Sequence, residues 1–156
     1  GADRPERAEE IGWSSVFFTT STCILIGVAV WFFRMQLLDL YDPPEAVKVF
    51  SIPLFLFIAF YQVFDALQVT AAFILRAYRI AFWPMVIYAG SLWGVGLGGG
   101  YLMGFNVLGF TPEFLQGANG FWAGNSISLG LAACLLLYLF RKTAERYEKT
   151  HPPVEV

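Results

Sequence analysis

The sequence predicts an all-α integral membrane protein of four antiparallel transmembrane helices, and two observations carry that prediction. Of 156 residues, 57% are hydrophobic and only 14% charged, with a mean hydropathy of +0.59. A chain with so little polar surface cannot enclose a soluble globule. The second observation is where the charge lies. Arg4, Arg7, Arg76, Arg79, Arg141, Lys142, Arg146 and Lys149 flank the apolar stretches on one side, and only Arg34 and Lys48 flank them on the other. Positive residues collect in the cytoplasm, so both chain ends and the Arg76–Arg79 link are expected there, at the cell (inner) membrane. The acidic loop with Asp39, Asp42 and Glu45 then faces outward. Both ends on one side require an even number of crossings, which four supplies.

Crossing a ~30 Å hydrocarbon core at ~1.5 Å per residue takes about 20 apolar residues. The first stretch that meets this is about residues 13–38, purely apolar from Cys23 to Phe33 and closed by Arg34, whose stem lets its charge snorkel to the headgroups. Its run Thr19-Thr20-Ser21-Thr22 can bond back to its own helix and proves nothing alone. After the stop Asp42-Pro43-Pro44 comes the second, about residues 45–76, with Pro53 as a candidate kink. The third, about 82–103, has Pro84 in its first turn, where a missing N–H is harmless. Its pairs Gly90-x-x-x-Gly94 and Gly96-x-x-x-Gly100 predict close helix packing. The fourth, about 120–140, ends at Arg141-Lys142, and Asn119, Asn125, Ser126 and Ser128 give it a polar, water-facing beginning. Trp31, Trp83 and Trp93 with Tyr41, Tyr78, Tyr101 and Tyr138 read as an aromatic belt at span ends. Residues 1–146 thus form one transmembrane unit and 147–156 a polar cytoplasmic tail, with His151 solvated in it. Cys23 and Cys134 lie in apolar runs and read as small packed side chains.

Asp65 is the only charged residue between Lys48 and Arg76. A carboxylate at that depth costs at least about 2.5 kcal/mol. Gln62 and Gln68 stand three residues away on either side, and Tyr61, Val69 and Ala72 join them on one face. Arg76, eleven residues on, sits on the same face about 16 Å further along the helix. Phe60, Phe64, Leu67 and Phe73 make the opposite face apolar enough to meet lipid or packed helices. Asp65 can serve as a structural hydrogen-bonding device between helices. It can equally hold a proton or a desolvated Na⁺ and release it when the site opens to the other side, which suits ion coupling. No Ser/His/Asp or metal-ligand grouping appears, so an enzyme is not expected, and nothing points to a nucleic-acid partner.

Several of these stretches resemble one family. The run Phe60-Tyr61-Gln62-Val63-Phe64-Asp65-Ala66-Leu67-Gln68, followed by Leu75-Arg76-Ala77-Tyr78-Arg79 and Trp83-Pro84-Met85, is similar to the tenth helix, following loop and eleventh helix of a multidrug and toxic compound extrusion (MATE) transporter. Residues 88–101 (YAGSLWGVGLGGGY) and Gly120-Phe121-Trp122-Ala123-Gly124 resemble that family's eleventh and twelfth helices, and Arg7 to Trp13 its cytoplasmic lead into the ninth. The chain departs from the family pattern at Ala77 and at Arg79-Ile80-Ala81, in the loop.

The resemblance implies a twelve-helix antiporter of two six-helix lobes that expels cationic amphipathic drugs in exchange for Na⁺ or H⁺, with no other cofactor. It implies that this chain is a fragment, helices nine to twelve of the carboxy-terminal lobe, whose partners are membrane lipid and the missing amino-terminal eight helices. It also implies that Asp65, in Gln-x-x-Asp-Ala-x-Gln, belongs to the coupling-cation site and ligates the metal if that cation is Na⁺. The opening Gly1-Ala2-Asp3-Arg4-Pro5, with neither initiator Met nor signal peptide, likewise leads one to expect a piece of something longer. Two other readings stay open. One is a non-transporting four-helix membrane scaffold or assembly subunit, with Asp65 in a structural contact. The other is a small four-helix exporter acting as a dimer, against which stands the lack of a carboxylate in the first span.

Overall fold

The computed structural model describes residues 5–150, with side chains from Arg7 onward. All regular structure in that range is helical. Helix α1 is Pro5–Phe32, α2 Arg34–Tyr41, α3 Glu45–Ala77, α4 Phe82–Gly90, α5 Gly99–Gly104 and α6 Ala118–Thr150. A π-helical segment, Ser91–Gly98, joins α4 to α5 without a break, and a short 3-10 turn, Glu113–Leu115, precedes α6. Three helices, α1 from Arg7, α3 and α6, are each long and apolar enough to cross a membrane.

The helices do not end where the apolar stretches do. Helix α1 starts well before Trp13, because Pro5 suits a first helical turn and the acidic residues after it suit the helix N-terminus. The expected first span, 13–38, is also two helices, interrupted at Phe33. Just past that break Arg34 folds back instead of reaching out. Its Nη1 donates to the Trp31 carbonyl at 2.7 Å, and the guanidinium lies 4.2 Å from the centroid of the Trp31 ring. Helix α3 passes through Pro53 uninterrupted. Helix α6 outruns its expected span by a further ten residues, to Thr150, so the first part of the expected polar tail, residues 147–150, is helical. Good helix formers and the i,i+4 pair Arg141–Glu145, at 3.1 Å, continue the helix beyond its apolar part. Arg4 and His151 lie outside the described residues.

Contacts fix the chain direction. Gly27 of α1 abuts Ala59 of α3, while Gly12 abuts Phe140 of α6. Tyr61 meets Trp122 and Tyr78 meets Tyr147, so α3 and α6 run the same way. Gly96 meets Ser128 and Gly104 meets Gly120, so the α4–α5 run opposes α6. Arg7, Arg76, Arg79 and the basic end of α6 therefore gather at one end of the bundle, and the ion pair Asp39–Lys48, which ties α2 to the first turn of α3, lies at the other.

Two packing zones hold the bundle. Near the basic end, Ala71 and Leu75 of α3 and Leu136, Phe140 and Ala144 of α6 form a buried cluster. Toward the other end, Gly96, Gly100 and Gly104 face Gly120, Gly124 and Ser128 at backbone contact: a Cβ on Gly124 would stand 2.6 Å from the Gly100 nitrogen. Without a hydrophobic drive between helices in lipid, such close approach supplies the attraction. The expected Gly96-Gly100 pair packs in this way, but Gly90 and Gly94 face open space and make no such contact. Ser126 and Ser128 are buried, with hydroxyls donating to the Trp122 and Asn125 carbonyls at 2.8 Å, so these two pack and do not face water, while Asn119 and Asn125 are half-buried and Asn125 lines a cavity of about 330 Å³. Trp93 sits in the middle of the third run, not at its end, and Cys134 is exposed, not packed.

Candidate functional site

Asp65 projects from the interior of α3, twenty residues after its start and twelve before its end. That places it about 18 Å from the basic end of the helix at ~1.5 Å per residue. Of the residues expected around it, Gln68 is the most deeply placed, 6% exposed, and Tyr61, Gln62 and Asp65 are half-buried. The Gln68 amide Nε2 donates to Asp65 Oδ1 at 3.5 Å, the long limit of a hydrogen bond. No Lys or Arg is paired with Asp65 among the described residues.

The neighbours of this face come from α6 and α4. The Tyr61 ring stands edge-on to Trp122, centroids 5.7 Å apart and planes at 79°. Phe64 packs over Gly130. The turn of α3 that carries Asp65 therefore lies alongside residues 122–130 of α6, where Asn125, Ser126 and Ser128 bring the polar groups of that helix. Asn125 Oδ1 and Ser128 Oγ are turned toward Gly96 of the π segment. The sequence shows these residues but not that they share the depth of Asp65, because the register between helices leaves no trace in a linear pattern. One turn further along α3, Gln68, Ala72 and Arg76 line a groove of about 340 Å³ against Pro84, Met85 and Tyr88 of α4. Gln68, Ala72 and Arg76 thus line one groove together. The Arg76 guanidinium lies 5.2 Å from the centroid of the Phe73 ring. Phe60 and Phe73 on the flanks are exposed, as expected of side chains meeting lipid or further helices.

Among the described residues no three of His, Cys, Asp and Glu stand close enough to hold a metal ion together. Asp65 brings one carboxylate and Gln68 one amide. That pair can take up a proton, or form part of a hard-cation shell completed by neutral oxygens or by groups from elsewhere.

Long apolar helices, packed through glycines and carrying one mid-helix carboxylate, define a polytopic helical membrane protein. The chain belongs to the MatE family, whose model matches residues 1–102. It is 34% identical to a probable multidrug resistance protein NorM of Aromatoleum aromaticum over 94% of its own length and 31% of that protein's. It is 36% identical to the multidrug resistance protein PmpM of Pseudomonas aeruginosa over 76% of this chain and 24% of the relative. With the multidrug resistance protein NorM of Vibrio cholerae the identity is 37%, over 72% and 25%. The chain spans less than a third of the length of these curated relatives, which are named as resistance proteins and not as enzymes.

Proposed function

We propose that this chain is the carboxy-terminal part of a multidrug exporter, in which Asp65 binds the coupling cation. In this reading α1 with α2, α3, the α4–π–α5 run and α6 are four membrane crossings, the ninth to twelfth of a twelve-helix protein, and residues 1–146 make one transmembrane unit. The basic end lies in the cytoplasm at the inner membrane. Membrane lipid and eight preceding helices complete the molecule. The substrates are cationic, amphipathic drugs and toxic compounds, and the exchanged ion is Na⁺ or H⁺.

One observation carries the proposal: Asp65 is half-buried in the middle of an apolar helix with a single long hydrogen bond and no basic partner among the described residues. A structural carboxylate at that depth needs a cation beside it. No such cation stands beside it among the described residues, and in this reading the neutralising charge is a proton, a Na⁺ ion or a cationic substrate. Exchange follows if these compete for one negative charge and the site faces one side of the membrane at a time. Gln68 orients the carboxylate, Tyr61 and Gln62 border it, and Asp65 itself is the metal ligand if coupling is to Na⁺.

The test is Asp65→Asn in the full-length protein, scored by drug efflux from cells together with its abundance in the membrane. The expected outcome is loss of efflux at unchanged abundance. Normal efflux refutes the coupling role, and loss of the protein from the membrane favours a purely structural Asp65.

A further inference from the structure

At the basic end α1, α3 and α6 part around a cavity of about 780 Å³. Ile11, Gly12 and Ile74 give it an apolar wall, and Tyr78 and Arg79, which follow the last residue of α3, bring polar atoms to it. We infer that this cavity binds the headgroup of an anionic phospholipid, its phosphate on the Arg79 guanidinium and its glycerol and upper acyl chains against the apolar wall.

Three features of the cavity support that occupant. It lies where an apolar helical surface gives way to the polar end of the bundle, the depth at which a phospholipid changes from acyl chain to phosphate. Its volume is in the range of sites for small organic ligands, about 300–1,000 Å³. Its charge is complementary. Arg79 pairs with no carboxylate among the described residues, whereas Arg141 at the same end is held by Glu145. Glu9, whose charge reaches Tyr78, is not among the residues lining the cavity, and its carboxylate accepts a hydrogen bond from Trp13 Nε1 at 3.2 Å.

The backbone holds Arg79 in place. Its φ is 61°, in the left-handed region, fixed by hydrogen bonds from its own N–H to the Arg76 carbonyl and from the Ile80 N–H to the Leu75 carbonyl, both 2.9 Å. Gly or Asn is the ordinary occupant of such a helix-closing position. An arginine there keeps a guanidinium at the cavity against the local backbone preference. Burial raises the Tyr78 phenol above its ordinary value, with Glu9 and Tyr147 adding to the shift, so its hydroxyl remains a donor at neutral pH.

The inference rests on the proposed membrane placement alone and not on ion coupling, so it stands or falls separately from the Asp65→Asn result. The experiment is native mass spectrometry of the full-length protein titrated with phosphatidylglycerol, phosphatidylcholine or glycerol phosphate. Arg79→Asn suits the left-handed backbone and removes the charge, so the variant folds. It is expected to weaken binding of at least one phosphatidylglycerol about tenfold, the loss of one charge-assisted hydrogen bond, while Arg141→Gln leaves binding unchanged. Equal binding by the Arg79→Asn variant, or equal binding of phosphatidylcholine, overturns the inference. Glycerol phosphate binding as tightly as the lipid also overturns it and makes the cavity a free-anion site.

Discussion

Asp65 and Arg79 both sit where they carry a cost, Asp65 as a charge in an apolar helix and Arg79 as a non-glycine residue at φ 61°, and only the first is visible in the sequence. The position of Asp65 is legible because the cost of a charge in an apolar run is a local property of the run. Its neighbour Gln68 is legible for the same reason, through helical spacing. The strain at Arg79 is not, since a left-handed φ at a non-glycine residue depends on where the helix closes. It leads to a prediction. Arg79→Gly relieves a conformation that L residues avoid, at the cost of a freer unfolded chain. It should stabilise the protein in lipid-free detergent by about 0.5–1 kcal/mol. Thermal unfolding of the two proteins side by side measures this, and an equal or lower midpoint for the glycine variant would show that the turn is not under strain.

At the scale of elements, apolarity located the long helices but not their ends. Helices α1 and α6 both extend beyond their apolar parts because a helix continues wherever propensity and capping allow, in water as in lipid. The π segment was invisible for another reason. Its glycines read as packing residues, and only two helices brought together reveal which of them pack: Gly96 meets α6, while Gly94 meets nothing. A pair of substitutions separates these roles. Gly124→Ala drives a Cβ into the Gly100 backbone and should cost about 1–3 kcal/mol. Gly94→Ala has room and should lie within about 0.5 kcal/mol of the parent protein. Equal shifts in unfolding temperature for the two variants would contradict the packing described here.

For the whole molecule the charge asymmetry predicted which ends share a side, and the folded chain gathers those ends together. That much was legible because lysines and arginines report position directly. The polar groups of α6 at the level of Asp65 were not, because they depend on how far one helix slides along another. The topology yields its own prediction: in the full-length protein in intact cells, a membrane-impermeant maleimide should label Asp42→Cys and Glu113→Cys, and Thr143→Cys only after permeabilisation. Labelling of Thr143→Cys in intact cells would invert the orientation. The central claim, that Asp65 ties substrate movement to a cation, is tested most directly in proteoliposomes holding the full-length protein, with an imposed Na⁺ or H⁺ gradient and a labelled cationic drug. The parent protein should accumulate the drug against its gradient, and Asp65→Asn should bring it only to equilibrium. Gradient-driven accumulation by Asp65→Asn at the parent rate would contradict the account.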